Sequence, residues 1–499
     1  MPPTSALTTP CLKLPESSAL SLRTSSRSSS FCRQTSRKRP SPTLRTARTE
    51  TLRRALSKAS AVTVILRQNA RGAWSSHPRR PPPAAALRKT FSPHCDRKWG
   101  DGAMTGRAGK EKGDELERRF ARAEFADGAL VRVRHPVTQS VGGRPRTVTD
   151  IDVLSIDFDS RLRPHIGISE CKSTRGQSGE QDRLLWLRGL QELVGADRSA
   201  LVRQTVTEAG RGVARHIGVD LFASSELERR EQVLEHVPQH FAAIGETSFK
   251  EESAAADQQL KKIGDLPSGL VSFLRHDALL ADPHRVLGAL LTLDEVTRIG
   301  TVLPNPLAKL LAGHVLQALV SAALRAGGRT DTVGAEGTRR EIEQGLNTGD
   351  PHDRQILRVA EMADALLREE LVTIHQAYRV AGAPPVERPV PSVRDAMSQT
   401  PTWLVNFMDL AERLRRRSPI ARQLPQTIDL AVFDALLGGD AWKAPAFDHL
   451  FAREHRQALG IAMECLSKAV PELTKHLLPL TDLPFDRATT ASLSQSKHQ

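Results

Sequence analysis

Thr149-Asp150-Ile151-Asp152-Val153-Leu154 is followed, after the length of one hairpin, by Glu170-Cys171-Lys172. The first segment is β-branched and alternating, so the two together predict a pair of neighbouring strands. Side chains of a strand alternate between faces, which puts Glu170 and Lys172 on one side, with Asp152 facing the same point from the preceding strand. Cys171 falls out of phase with them and reads as a small core residue on the opposite face. Asp150 has the same phase as Asp152, so the choice between the two aspartates stays open.

Two carboxylates about 4 Å apart repel by about 4 kcal/mol at an effective dielectric near 20, and such a cluster calls for a cation. A divalent metal meets the need, and Mg²⁺ prefers one or two carboxylates, waters and a phosphate oxygen. The lysine is distinctive as well. Only 16 of the 71 basic residues are Lys, and between Gly113 and Phe249 there are 18 Arg and a single Lys, Lys172. Arg stays protonated and presents a wide fork, whereas Lys is a compact charge able to orient an attacking water.

Outward from this pair, Leu116, Phe120 and Ala123 fall at helical spacing in an amphipathic helix from Gly113 to about Ala126. A strand from Ala129 to His135 is closed by Pro136, and 137–147, with Gly142-Gly143-Arg144-Pro145, reads as a loop. Strands Val148 to Phe158 and Pro164 to Lys172 follow, with Asp157 and Asp159 serving the turn. A long helix after Gly179 buries Leu184, Leu187, Leu190 and Val194, with Trp186 at the edge of that stripe. Then come a strand (Ser199 to Arg203), a helix (Val206 to His216), a strand (Gly218 to Ala223) and a helix opened by a Ser225/Glu228 capping box. The expected architecture is α/β, a mixed sheet flanked by helices.

These residues carry a resemblance. The segment from about 113 to 225 resembles the PD-(D/E)xK nuclease superfamily, the fold of many restriction endonucleases and Holliday-junction resolvases. Asp152 matches the family's Asp, Glu170 and Lys172 match its E-x-K, and Glu117 matches its helical Glu, with Glu115 as the alternative. The family's Pro is absent, since Ile151 precedes Asp152 and Thr149 precedes Asp150. The resemblance implies that Asp152, Glu170 and the Cys171 backbone carbonyl hold Mg²⁺ (or Mn²⁺). It further implies that Lys172 orients water and offsets charge on the phosphate, and that Glu117 steers a metal-bound water or a second metal. Gln181 or Gln191 stands where members often carry a polar Gln. Arg132, Arg134, Arg144 and Arg146 are candidates to meet phosphates.

Charge is unevenly spread. Residues 1–103 hold 20 Lys+Arg and 4 Asp+Glu, a balance of +16, so the net +14 leaves −2 for the rest. The leader reads as a disordered basic arm, as an Arg- and Ser-rich transit peptide that would direct organellar import, or as a segment outside the native protein, with Met104 as the start. Of five cysteines only Cys171 and Cys465 lie beyond it, too few for a disulfide framework or a cysteine zinc site. The apolar run 61–66 is too short to span a bilayer, and a soluble cytoplasmic protein with no membrane partner is expected.

Beyond about residue 240 the pattern is helical, broken at Gly264-Asp265-Leu266-Pro267, at Gly327-Gly328 through Gly337 and at Pro384-Pro385 through Pro391. Pro306 to Ala326 is apolar nearly all round and predicts a central buried helix. His276-Asp277 and His352-Asp353 read as cap or surface residues, and Arg413-x-Arg415-Arg416-Arg417 as a basic helix end. The expected organisation is a leader (1–103), a nuclease domain (104–235), an α-helical domain (236–485) suited to homo-oligomer or protein contacts, and a disordered tail (486–499). The expected activity is Mg²⁺-dependent phosphodiester hydrolysis on DNA rather than RNA, in restriction, defence or repair. The alternative is a catalytically silent nucleic-acid- or protein-binding module that keeps the fold.

Overall fold

The computed structural model describes residues 103–486, apart from 142–143, 174–178, 246, 301, 350–353, 383, 385–391 and 394–399. The expectations for the leader, for nearly all of the tail, for His352-Asp353 and for most of the proline-rich break fall outside the described residues.

Helix α1 (Ala103–Ala126) leads into β1 (Leu130–Val141), β2 (Arg144–Phe158) and β3 (Pro164–Lys172). Helix α2 (Glu180–Val194), β4 (Arg198–Arg203), α3 (Glu208–Ile217), β5 (Asp220–Ala223) and α4 (Ser224–Glu231) follow. This is the element order that the periodicity predicts. The five strands lie in chain order; short turns make β1-β2-β3 antiparallel, and the α2 and α3 crossovers make β3-β4-β5 parallel. Ile166 to Cys171 are buried without interruption, so β3 is covered on both faces and carries its chemistry at its end.

Several local expectations are corrected. The described residues of 137–147 are strand rather than loop: β1 continues past Pro136 to Val141 and β2 begins at Arg144. Because β1 is the edge strand, the missing N–H of Pro136 leaves no ladder partner unsatisfied on the outer side. The cap of α4 is also shifted. The Glu226 carboxylate accepts the Ala223 N–H at 2.7 Å, and Ser224 Oγ lies 3.2 Å from Glu228. At the β2–β3 turn, Asp159 accepts the N–H groups of Arg161 and Arg163 as expected, whereas Asp157 lies 3.3 Å from Arg198.

The break expected over Gly327-Gly328 through Gly337 is present as a kink, but at Gly334 rather than at the paired glycines. The remaining chain is mostly helical: α5 (Thr247–Leu260), α6 (Ser268–Arg275), α7 (Pro283–Arg298), α8 (Leu307–Thr348), α9 (Arg354–Val380), α10 (Leu404–Arg416), α11 (Ser418–Ile428), α12 (Arg453–Ala469) and α13 (Pro471–Thr474). Helix α8 is the expected central helix, buried all round from Leu310 to Leu324, and its kink comes later, at Gly334 (φ 77°). By length and composition its apolar stretch could cross a membrane, yet 94% of it is buried inside the protein. Its paired glycines serve close approach: a Cβ on Gly328 would lie 2.6 Å from the Leu162 carbonyl oxygen, and one on Gly327 3.1 Å from that of Ala411. Gly328→Ala is therefore expected to lower the denaturant midpoint by about 1 to 3 kcal/mol of stability, because the obstacle is backbone. Gly189→Ala, in α2 with nothing within 4 Å of the new methyl, should instead be neutral or stabilising by up to about 1 kcal/mol. Equal midpoints for the two variants would refute the close-approach account.

The helical half packs against the sheet through one continuous hydrophobic core. Gln426 of α11 donates to the carbonyls of Phe125 (2.6 Å) and Ala129 (3.1 Å), at the joint between α1 and β1. One turn on, Asp429 opens a π-helical segment, Asp429–Asp434, and lies 2.7 Å from Arg132 Nη1 of β1.

Candidate functional site

The β2–β3 register pairs Val153 with Ser169, and one further step brings Asp152 opposite Glu170. Asp152 Oδ2 accepts the Cys171 N–H at 2.7 Å, which fastens the carboxylate to the neighbouring strand. Lys172 Nζ lies 2.7 Å from Glu170 Oε1 and 3.8 Å from Asp152 Oδ2. The aspartate left open by sequence is thus Asp152 on geometric grounds: Asp150 is solvent-exposed, two residues nearer the hairpin end. The Cys171 side chain is buried on the other face, as its phase predicts, and burial pushes its thiol well above the usual range.

Exposure is graded across the cluster. The side chain of Glu170 is 5% exposed, Asp152 17% and Lys172 35%, so the carboxylates are the more buried members and the ammonium the most exposed. Burial, followed by the charge of Glu170, pushes the Asp152 carboxyl up from 3.8 to about 6, against the Cys171 N–H and Lys172. Burial pulls Lys172 down, but its bond to Glu170 and the two carboxylate charges outweigh that and hold it above its ordinary value. Lys172 is accordingly an ammonium at neutral pH, a donor and a charge rather than a base.

Glu117 of α1 is close enough for its charge to be felt at Asp152. Burial raises its carboxyl, and Arg134 Nε, 3.0 Å from Glu117 Oε2, opposes that rise. Arg134 also pairs with Asp114. Its backbone sits at φ 57°, a left-handed conformation rare for a side chain of this size and found where surrounding contacts over-determine it. Glu115, the alternative helical acid, is turned outward to Arg118 at 2.7 Å.

Other candidates are placed elsewhere. Arg132 is withdrawn from any phosphate by its pairing with Asp429. Arg146 is exposed, and the side chain of Arg144 lies outside the described residues. Gln191 is buried between the Asp197 carbonyl and Ser199, and Gln181 is exposed. His276 packs edge-on against His135, with ring centres 5.9 Å apart, and Asp277 accepts from Thr138. The Arg413–Arg417 run is engaged within the protein: Arg413 with Asp409, Arg415 with Glu412 and with Asp331 of α8, Arg416 with Glu412, and Arg417 with Gln457.

Two arginines with a part here escape sequence reading. Arg183 of α2 reaches Glu170 Oε1 at 3.4 Å. Arg203, beside Lys172 across the β3–β4 pairing, forms a buried ion pair with Glu180 at 3.6 Å, and Glu180 Oε1 accepts from Thr207 Oγ1 at 2.6 Å. That network anchors the first turn of α2 and with it Arg183. The helical pattern shows Arg183 only as a solvated charge.

Among the described residues no three His, Cys, Asp or Glu side chains gather in a way that holds a metal by themselves. The donors on hand are Asp152, Glu170 and backbone carbonyls, a set that fits Mg²⁺, which completes its shell with water and phosphate oxygens. The raised Asp152 carboxyl points the same way, because a divalent ion would offset both the burial and the Glu170 charge that raise it. A folded-state value above the ordinary one means that the folded protein holds this proton more tightly, so stability falls as pH rises from about 4 to about 6 and stays lower above. Asp152→Asn, which keeps an acceptor for the Cys171 N–H, is expected to stabilise the metal-free protein at pH 8 by about 1 to 3 kcal/mol. Melting in EDTA at pH 8 and pH 4 measures this: the gain should vanish at pH 4, and a gain equal at both would refute the repulsion.

No protein-family model, no curated protein and no solved structure matches this chain.

Proposed function

We propose that the protein is a Mg²⁺-dependent nuclease of the PD-(D/E)xK type, hydrolysing phosphodiester bonds of DNA, with a restriction-endonuclease-like arrangement of its sheet. The observation that carries this reading is the convergence of Asp152, Glu170 and Lys172 at one open strand end, the lysine 2.7 Å from one carboxylate and 3.8 Å from the other. The sheet order supports it, since an antiparallel hairpin feeding a parallel crossover presents the Asp and the E-x-K side by side.

In this reading Asp152, Glu170 and the Cys171 carbonyl hold the ion. The bound ion supplies Lewis-acid polarisation of the phosphodiester and a water more acidic than bulk. The chain's own residues do the rest. Lys172 donates to the attacking water, orients it toward phosphorus, and offsets charge that grows on the phosphoryl oxygens. Glu170 holds the ammonium in place, and the Cys171 N–H fixes the Asp152 carboxylate. Arg134 restrains Glu117 beside the pair. Asp152 is a ligand only when ionised, so protons compete with Mg²⁺ for it and cleavage should fall on acidification, at a higher pH when Mg²⁺ is limiting.

The test is incubation of the full chain with plasmid, linear and branched DNA in Mg²⁺ and in EDTA, beside Lys172→Ala. Cleavage only by the unaltered protein with Mg²⁺ supports the nuclease; binding without cleavage in every lane favours the silent-module reading.

A further inference from the structure

We propose that α2 carries a stacking platform for an unpaired nucleotide, built from Trp186 and Arg183 beside the Asp152–Glu170–Lys172 cluster. The proposal rests on the nuclease reading and specifies its substrate as single-stranded or locally unpaired nucleic acid. Leu184, Leu187 and Leu190 complete the buried stripe of α2. Leu185 and Trp186 lie outside that stripe and are 57% and 36% exposed, so the indole is held on one side and leaves about a third of its surface to solvent. An outward indole beside an outward leucine is a surface in want of a planar, apolar face.

Arg183 ties that surface to the cluster. Its guanidinium carbon stands 5.6 Å from the Trp186 ring centre, and its Nη1 is 3.4 Å from Glu170 Oε1. One side chain thus spans from the indole to the carboxylate floor, within reach of the nucleotide next to a phosphate held there. A planar cation against an aromatic ring offers two flat faces to a base, and stacking of this kind tolerates any sequence.

Charge decides between paired and unpaired substrates. Outside the leader the chain carries a net −2, so phosphate attraction adds little affinity on the folded body. Stacking must then contribute, and it requires a base whose faces are free. In a duplex those faces are covered by neighbouring pairs, whereas loops, flaps and single strands leave them open.

Fluorescence anisotropy of the full chain in EDTA tests this with three probes: an oligo-dT strand, an abasic strand of the same length, and a blunt duplex. The oligo-dT should bind more tightly than the abasic strand. Trp186→Ala should weaken oligo-dT binding by about 5- to 100-fold, leave the other two within about twofold, and be largely rescued by Trp186→Phe. Unchanged oligo-dT binding by Trp186→Ala, or an equal loss on all three probes, would overturn the platform. The measurement needs no cleavage, so loss of the platform and loss of the nuclease reading are separate results.

Discussion

Lys172→Ala is expected to reduce Mg²⁺-supported DNA cleavage by about 10²- to 10⁴-fold, the range of a positioned proton-handling or charge-stabilising group, with DNA binding in EDTA preserved. The loss should fall on the chemical step because Nζ is held by Glu170 on the exposed side of the cluster, where the proposed mechanism puts water and phosphate. Lys172→Arg should not restore activity: a wide planar fork cannot occupy the place of a compact ammonium between two carboxylates. Removing the ammonium also takes away one of the influences that lower the Asp152 carboxyl. The acid limb of any residual activity should therefore lie at higher pH than in the unaltered protein. Single-turnover cleavage across pH 5 to 9 measures both effects, and equal rates for wild type and Lys172→Ala would remove the catalytic assignment.

The cluster was legible because its information is local. Asp152, Glu170 and Lys172 lie within a single hairpin, and strand alternation alone says which side chains share a face. The same locality explains why Leu184, Leu187 and Leu190 were found. What escaped depends on parts of the chain that pattern does not connect. Arg183 sits on the solvent side of α2 by periodicity, and only the placement of that helix over the end of β3 brings it to Glu170. Gly327-Gly328 is ambiguous by composition, since paired glycines mark either a break or a close approach, and the backbone of the β2–β3 turn decides for the second. Pro136 reads as a terminator until β1 is known to be an edge strand. Arg132 has the same character on a larger scale, since its partner, Asp429, lies far along the chain, in the helical half.

Arg132→Met is expected to destabilise the fold by about 3 to 5 kcal/mol, the usual loss when one member of a buried ion pair is deleted. Asp429 is fully buried, burial raises its carboxyl, and Arg132 is the charge that opposes this. Among the described residues neither oxygen of that carboxylate has a well-aligned hydrogen-bond donor, so the Arg132 ion pair is its compensation. The guanidinium is itself restrained by the Val131 carbonyl at 2.7 Å and by the Phe433 ring, 5.6 Å from its carbon. Left alone, Asp429 must either stay charged in an apolar setting or take up a proton. The deficit should therefore be larger at pH 8 than at pH 5, since a folded-state carboxyl raised still further loses stability as pH climbs above its ordinary value. Replacing both partners, Arg132→Met with Asp429→Leu, should recover most of the loss, because apolar groups need no compensation. Equilibrium urea unfolding of the two single variants and the double variant gives the coupling directly, and an Arg132→Met midpoint matching wild type would refute it. Asp429 stands one turn beyond Gln426, which grips the α1–β1 joint, and Arg132 stands two residues before the strained Arg134 that restrains Glu117. The ion pair therefore fixes the edge strand from the helical half while Arg134 works on α1, and the second contact depends on the first holding β1 still.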